Sequence, residues 1–347
     1  MASFSIAGRA VGPEHPCFVI AEVAQAHDGS LGAAHAYIDA AARAGASAIK
    51  FQTHIAAAES APDEPWRVKF SPQDATRYQY WQRMEFPEAA WAGLLAHASE
   101  RGLVFLSSPF SLEAVALLDR IGVPAWKVAS GEVDTGPLLE AMAATAKPLL
   151  FSSGMSSFAA LDGAIDIAHK AGCPVAALQC TSAYPCPPDK VGLNVIGQLR
   201  DRYRCPVGLS DHSGTIFAGL AAAALGADLL EVHIAFSREQ FGPDTAASIT
   251  IDELAELCRG AAFIRQALAH PVDKEAVARE LAPLRALFGK SIVSARALAA
   301  GSRLGHDDVT LKKPGTGLPA ADLERIIGRT LARDIAADQR LTEDDLV

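Results

Sequence analysis

Eight short apolar runs, each followed by a stretch of helical composition, constrain this chain more than any other feature. The runs are FVIAEV (18–23), AIKFQT (48–53), VFLSS (104–108), AWKVAS (125–130), PLLFSSG (148–154), VAALQCT (175–181), PVGLSDH (206–212) and LLEVHI (229–234). Segments between them, such as GAAHAYIDAAARAGA and TIFAGLAAAALGA, are long enough for crossover helices. Strands alternating with helices at this rhythm run parallel and are covered on both faces. Eight such units predict an α/β fold of the (β/α)8 barrel (TIM barrel) type, whose usual size is about 250 residues. A doubly wound open sheet is the alternative, but no Gly-rich dinucleotide fingerprint follows the first run.

After the eighth run the texture changes. IDELAELCRGAAFIRQALA (251–269) reads as a helix, and HPVDKEAVARELAPLRALFGK (270–290) as a charged connecting helix or linker. LAAGSRLGHDDV (298–309) and IAADQRLTEDDL (335–346) then align without gaps, sharing two alanines, Arg-Leu and Asp-Asp. The expected division is a barrel over 1–270, a linker over 271–289 and a small repeat-built domain over 290–347. About sixty residues are marginal for independent stability, so this last domain is expected to dock on a barrel, its own or a neighbour's.

Composition narrows the partners. The 347 residues carry a net charge of −9 with no Lys/Arg-rich block, which argues against nucleic acid. It leaves anionic small molecules open, because a few local cations suffice for them. No apolar run reaches the ~18 residues of a membrane span, so no membrane partner is expected. The N-terminus lacks a basic region followed by a long apolar one, and no signal peptide is expected. Six cysteines without CxxC spacing read as reduced thiols of a cytoplasmic protein.

Polar residues gather at the C-terminal ends of all eight runs, where a barrel builds its active site. They are Glu22; Lys50 and Gln52; Ser107 and Ser108; Lys127 and Ser130; Ser152 and Ser153; Gln179 and Thr181; Ser210, Asp211 and His212; Glu231 and His233. His212 and His233 close adjacent strands about 4.8 Å apart and could share one divalent ion. Lys50 and Lys127 interrupt apolar strands, where burial depresses a lysine's pKa unless an anion compensates. With Ser108, Ser130, Ser153 and Ser210 as hydroxyl donors, they suggest an anionic, phosphorylated substrate. Buried bridges to Glu22 and Glu132 would also explain them, as would a Schiff-base lysine. Glu22 reads equally as a general base, a ligand for a polyol hydroxyl or an ion-pair partner. Cys180 reads as a packed thiol, and His27 and His54 as packing or surface residues.

The motifs IAEVAQAHDGSL, AIKFQTH, FLSSPFSLEAVALLDRIGVPAWKVASGE, KPLLFSSGM, LQCTSAYPCPP, VGLSDHSG, GADLLEVHIAF, GPDTAAS and KKPGTGL together resemble the sialic acid synthase (N-acetylneuraminate synthase) family, including its pseudaminic and legionaminic acid branches. The resemblance covers nearly the whole chain. It implies a (β/α)8 barrel followed by an antifreeze-like (SAF) domain of the β-clip type over 290–347, and a domain-swapped homodimer. It also implies a metal-dependent transferase condensing phosphoenolpyruvate with an open-chain N-acetylated hexosamine to a nine-carbon 2-keto acid, with C–O cleavage. The family's Mn2+ or Mg2+ ligands fall on His212 and His233. Its phosphoenolpyruvate-binding positions fall on Lys50, Ser108, Lys127, Ser130, Ser182 and Ser210. Glu22, Glu231 and Asp244 match catalytic positions, and Gln52, Tyr184 and Lys313 positions near the sugar. No Schiff base is needed on this pattern.

Departures cluster on the sugar side. Gln25-Ala26-His27-Asp28-Gly29 stands for the family's Asn-His-Asn-Gly, Thr245 for the usual His after Gly-Pro-Asp, and Lys313 for an Arg that reaches the partner's N-acetyl group. Lysine keeps that charge but loses the planar fork. Ser108 stands for Thr and Ser182 for the Asn of some members. Other expectations remain a related phosphoenolpyruvate-dependent synthase acting on a phosphorylated sugar, disfavoured by the tail, and a non-catalytic carbohydrate-binding relic. The latter need not keep both histidines and both lysines.

Overall fold

The computed structural model describes residues 3–347, which divide into two compact units, the first ending at His270 and the second spanning Pro271–Val347. In the first, the eight runs form strands β1 (Phe18–Ala24), β2 (Ala48–Thr53), β3 (Val104–Pro109), β4 (Trp126–Val128), β5 (Leu149–Ser152), β6 (Val175–Cys180), β7 (Val207–Asp211) and β8 (Leu229–Ala235). All neighbours pair in parallel, in the order β3-β2-β1-β8-β7-β6-β5-β4. Pairing of β8 with β1 closes the circle, and only the β3/β4 seam lacks a ladder among the described residues. This is a nearly closed (β/α)8 barrel.

Helices return the chain at each step, from Leu31–Ala44 to Ile251–Ala269. The first is capped by Ser30 and stopped at Gly45, whose φ of +87° suits glycine. Side chains alternate across each strand, with period two. Val19, Ala21, Val23, Ile49, Phe51, Phe105, Trp126, Leu149, Phe151, Val207, Leu209, Leu230 and Val232 join the core under the helices. The opposite set fills the barrel: Phe18, Ile20, Ala48, Val104, Leu106, Ala125, Leu150, Ala176, Leu178 and Leu229 pack with Ile6 and Val11. Those last two belong to an antiparallel hairpin, Phe4–Ile6 with Arg9–Val11, ahead of β1. Gly208 shares the inward parity, and a Cβ there would lie 2.2 Å from the Leu229 carbonyl oxygen.

The second unit has its own core of Ile292, Leu298, Leu304, Leu318, Ile326, Leu331, Ile335, Leu341 and Leu346. Its two sequence repeats share local structural features. Leu298 bridges Ile335. Gly301 and Asp338 occupy equivalent turns at φ +79° and +63°, and each repeat ends in a 3-10 turn, His306–Asp308 or Glu343–Asp345. The segment expected as a linker forms helices Lys274–Glu280 and Ala282–Phe288. Among the described residues no helix is long and apolar enough to cross a membrane.

Candidate active site

Inward parity continues upward from the apolar floor, and there the residues turn polar. Glu22, Lys50, Gln52, Ser108, Lys127, Ser152, Cys180, Glu231 and His233 share the parity of the apolar plug two or four residues before them, and Ser210 and His212 that of Gly208. Strand register then sets neighbours: Glu22 lies beside Lys50 and His233, and Glu231 beside Ser210.

The deepest layer is a buried cluster of two lysines and two glutamates. Lys50 donates to Glu22 and lies 3.8 Å from Glu231 Oε1, while Lys127 Nζ lies 3.5 Å from the same oxygen. Lys127 also donates to Ser152 Oγ at 2.6 Å, and Ser210 to Glu231 at 3.3 Å. The carboxylate beside Lys127 is thus Glu231; Glu132 instead lies in the cavity wall described below. Burial pushes the Glu22 carboxyl up, against the pull of Lys50. Burial pushes Glu231 the same way, yet Lys127 and Lys50 together bring it down to about 2. Lys127 is lowered by burial despite Glu231, whereas Lys50 is raised because Glu22 and Glu231 outweigh its burial. Three buried oxygens here have no partner: Glu22 Oε1, Glu231 Oε2 and Ser108 Oγ. Buried polar groups are normally hydrogen-bonded, and these three are left with free acceptor or donor capacity.

Next to this cluster His212 and His233 stand with ring centroids 5.1 Å apart. Tyr184 stacks on His212 at 4.1 Å and meets His233 edge-on. His212 Nδ1 donates to the Thr181 carbonyl at 2.9 Å, which leaves Nε2 as a bare lone pair. Burial lowers both imidazoles, His212 to about 4, so both are neutral near pH 7. Asp244 Oδ2 is 3.9 Å from His233 Nδ1, and its Oδ1 accepts from Arg67 at 2.8 Å. Arg67 in turn covers the Tyr184 ring at 4.6 Å. No group of three or more His, Cys, Asp or Glu is arranged as a metal cage among the described residues. Two neutral imidazoles nonetheless fit a divalent ion whose remaining positions stay open.

Above lies a cavity of about 450 Å3. Of the expected residues its wall takes in Gln52, Ser130, Ser182, Tyr184 and Asp244; the lysines, the histidines, Glu22, Ser108, Ser210 and Glu231 are buried outside it. Ser130 and Ser182 sit 3.2 Å apart. Their closeness depends on Gly154, where a Cβ would come within 2.1 Å of Ser130 Cβ. Lys313 belongs to the second unit and is exposed. His27 is a packing residue, buried 4.8 Å from the Phe86 ring. Cys180 is buried too, and its thiol is pushed up to about 11, as suits an inert group.

Sequence reasoning missed part of this wall. Arg67, Trp66, Glu59, Glu64, Arg77 and Trp81 come from the long excursion between β2 and the helix Glu88–Glu100. That excursion has no strand period to reveal which side chains face inward. His54 belongs here as well, and only its parity with Lys50 and Gln52 could have marked it.

The fold and site thus define a nearly closed (β/α)8 barrel whose rim gathers cations, hydroxyls and paired imidazoles, followed along the chain by a repeat-built second domain. The chain belongs to the NeuB family, which its residues 37–273 match, and residues 289–347 match the SAF domain. It is 31% identical to N,N'-diacetyllegionaminic acid synthase of Campylobacter jejuni subsp. jejuni, over 94% of this chain and 98% of that one. It is 34% identical to human N-acetylneuraminate-9-phosphate synthase, over 97% of this chain and 94% of that protein. The solved N-acetylneuraminic acid (sialic acid) synthetase of Leptospira borgpetersenii serovar Hardjo-bovis, in complex with citrate, superposes with a TM-score of 0.72 at 29% identity, covering 82% of this chain and 96% of that one. These similarities place the chain among the sialic and related nonulosonic acid synthases.

Proposed function

We propose that the protein condenses phosphoenolpyruvate with an open-chain N-acetylated hexosamine, releasing phosphate and forming a nine-carbon 2-keto acid. The observation that carries this reading is the convergence of Lys50 and Lys127 on Glu231, beside an unpartnered Ser108 hydroxyl. Two buried ammonium groups and a free hydroxyl suit a small anion carrying both a phosphate and a carboxylate. Ser130, Ser182 and Ser210 add hydroxyl donors for its phosphate and carboxylate oxygens.

In this reading His212 and His233 would hold the divalent ion, Mn2+ or Mg2+, which would supply Lewis-acid polarisation of the sugar aldehyde. The remaining roles fall to the chain. C3 of phosphoenolpyruvate bonds to the aldehyde carbon, and the aldehyde oxygen takes a proton. Glu22, whose carboxyl burial pushes up against the pull of Lys50, would give it. Water then adds to C2, and Glu231, ionised between two lysines, accepts its proton. The C2–O bond to phosphate then breaks as the C2 hydroxyl returns a proton to Glu22 and the ketone forms, while Glu231 passes its proton to the departing phosphate. Asp244, fixed by Arg67, and Tyr184 orient the sugar, with Gln52 beside them. The reading includes a domain-swapped homodimer in which Lys313 serves the partner's sugar pocket.

Incubation with phosphoenolpyruvate, Mn2+ and a panel of hexosamines, phosphorylated and not, tests this. Phosphate release that needs both metal and an N-acetylated hexosamine is the expected result. Release with none of the panel overturns the reading, and release only with phosphorylated sugars lacking an N-acetyl group favours the related synthase class. Truncation after Lys290 is expected to weaken activity; unchanged kinetics would remove the tail from the site.

A further inference from the structure

The cavity wall contains a chain of four polar side chains with a fixed direction. It starts at Glu59, nearly buried, whose carboxylate can only accept. Glu59 Oε1 lies 2.6 Å from His54 Nδ1, and its Oε2 accepts from the Ile55 amide at 3.3 Å. His54 Nδ1 must therefore carry the proton. The other ring nitrogen, Nε2, lies 2.7 Å from the Gln25 amide nitrogen, a donor, and accepts from it. The same Gln25 amide nitrogen has a second proton, which it gives to Gln52 Oε1. Gln52 Oε1, which also lies 3.2 Å from His54 Nε2, is thereby occupied, and no partner engages the Gln52 amide nitrogen among the described residues. Gln52 lines the cavity.

Two features hold the chain in this arrangement. The His54 ring is sandwiched between Trp81, at 4.1 Å and 19°, and Phe110, at 4.5 Å and 8°. Both ring faces are covered, both ring nitrogens are used, and the ring has no room to turn over. Gln25 is brought in by an irregularity in β1: the register with β2 slips between Glu22 and Ala24, and Ala24 adopts a φ of +47°. A bulge of this kind re-aims the side chains that follow it.

We propose that Glu59, His54 and Gln25 are positioning residues that lock the Gln52 carboxamide with its NH2 group toward the cavity, so that Gln52 donates to an acceptor oxygen of the sugar substrate. The idea rests on the sugar-synthase reading for the identity of the ligand. The direction of the chain stands apart from it. Glu59 sets that direction, since replacing its carboxylate by an amide lets His54 Nδ1 accept as well as donate. The whole chain can then reverse and present the Gln52 oxygen instead.

Two experiments test this. Long-range 1H–15N NMR of the intact protein reads the tautomer of His54 and needs no substrate. The Nδ1–H form is expected in the native protein and a loss of that preference in Glu59→Gln; a native Nε2–H tautomer overturns the proposal. The second is a double-mutant cycle on phosphate release at saturating phosphoenolpyruvate, using the hexosamine that the native enzyme turns over. Glu59→Gln is expected to raise the sugar KM about tenfold, the worth of one lost hydrogen bond to substrate, while the KM for phosphoenolpyruvate stays within twofold. In a Gln52→Ala background the same change is expected to have less than a twofold effect. Additive effects, or equal rises in both KM values, would overturn the relay. A native enzyme inert toward every sugar would instead count against the function proposed above, leaving the tautomer to decide the relay.

Discussion

The two units of this protein both bury carboxylates, and they treat them in opposite ways. In the C-terminal unit Asp308 uses one oxygen for Arg296 and the other for the Gly305 amide. Its repeat-mate Asp345 does the same with Arg333 and with the amide and hydroxyl of Thr342. Every oxygen there has work inside the fold. In the barrel, Glu22 and Glu231 each keep one buried oxygen without a partner, although two lysines stand within reach. A carboxylate that holds a turn together is saturated by its own neighbours. The two barrel glutamates instead keep acceptor capacity that the fold itself does not use, which the function proposed above would assign to substrate.

The largest expected effect lies on the barrel side. His212→Ala or His233→Ala should lower turnover by about three orders of magnitude, the scale of about 4 kcal/mol of lost Lewis-acid stabilisation. Strong chelator should do the same to the native enzyme, and full turnover in chelator would contradict the metal. Next, Glu231→Gln should cut turnover by about a hundredfold, with the native circular dichroism retained. Asp345→Ala should reverse that profile, destabilising the second unit by about 1–3 kcal/mol and leaving the KM for phosphoenolpyruvate unchanged. Denaturant melts and steady-state kinetics on both variants would show whether the contrast holds; a crossed result would erase it.

The last prediction concerns acid. His27 is buried and neutral, with its pKa lowered by burial to about 3, against about 6.5 when unfolded. The unfolded barrel therefore binds the extra proton between those values. Barrel stability should fall as pH drops below about 6.5, by up to about 1.4 kcal/mol per pH unit for this one group. Asp345 works at lower pH: its pKa is depressed although burial opposes this, because the Thr342 amide and hydroxyl and then Arg333 favour the carboxylate. Its contribution is present above about pH 4 and is lost as pH falls through the lower folded value. Hydrogen exchange resolved by region should show the barrel loosening first on acidification, and His27→Leu should flatten its slope. Simultaneous loosening of both units, with no change in His27→Leu, would refute this assignment.

Much of the fold was legible because its signals are local. A strand shows period two and a parallel sheet shows apolar runs separated by helices, so each of the eight runs overlaps the strand it became. The seam strand β4 is the least regular, with three residues where six were expected. The gapless likeness of 298–309 and 335–346 became a structural repeat because matched leucines and aspartates meet matched surroundings. The floor of the site was legible for the same reason, since Lys50, Lys127, His212 and His233 interrupt apolar strands at inward positions. The wall was not. Arg67, Trp81 and Glu59 sit in an irregular excursion whose sequence carries no period, and His54 looked like any histidine just past a strand.

By itself, then, the sequence determined the barrel, the repeat-built second unit and the set of polar residues at the strand ends, because strand period and helix spacing are properties of a few consecutive residues. Only the tertiary structure decided which of those residues meet. Closure of the barrel put Glu231 between Lys50 and Lys127, residues 181 and 104 positions away along the chain. It set Tyr184 against both histidines, and it left three buried oxygens without partners. Such contacts depend on the shear and curvature of the whole sheet, which no short stretch of sequence encodes.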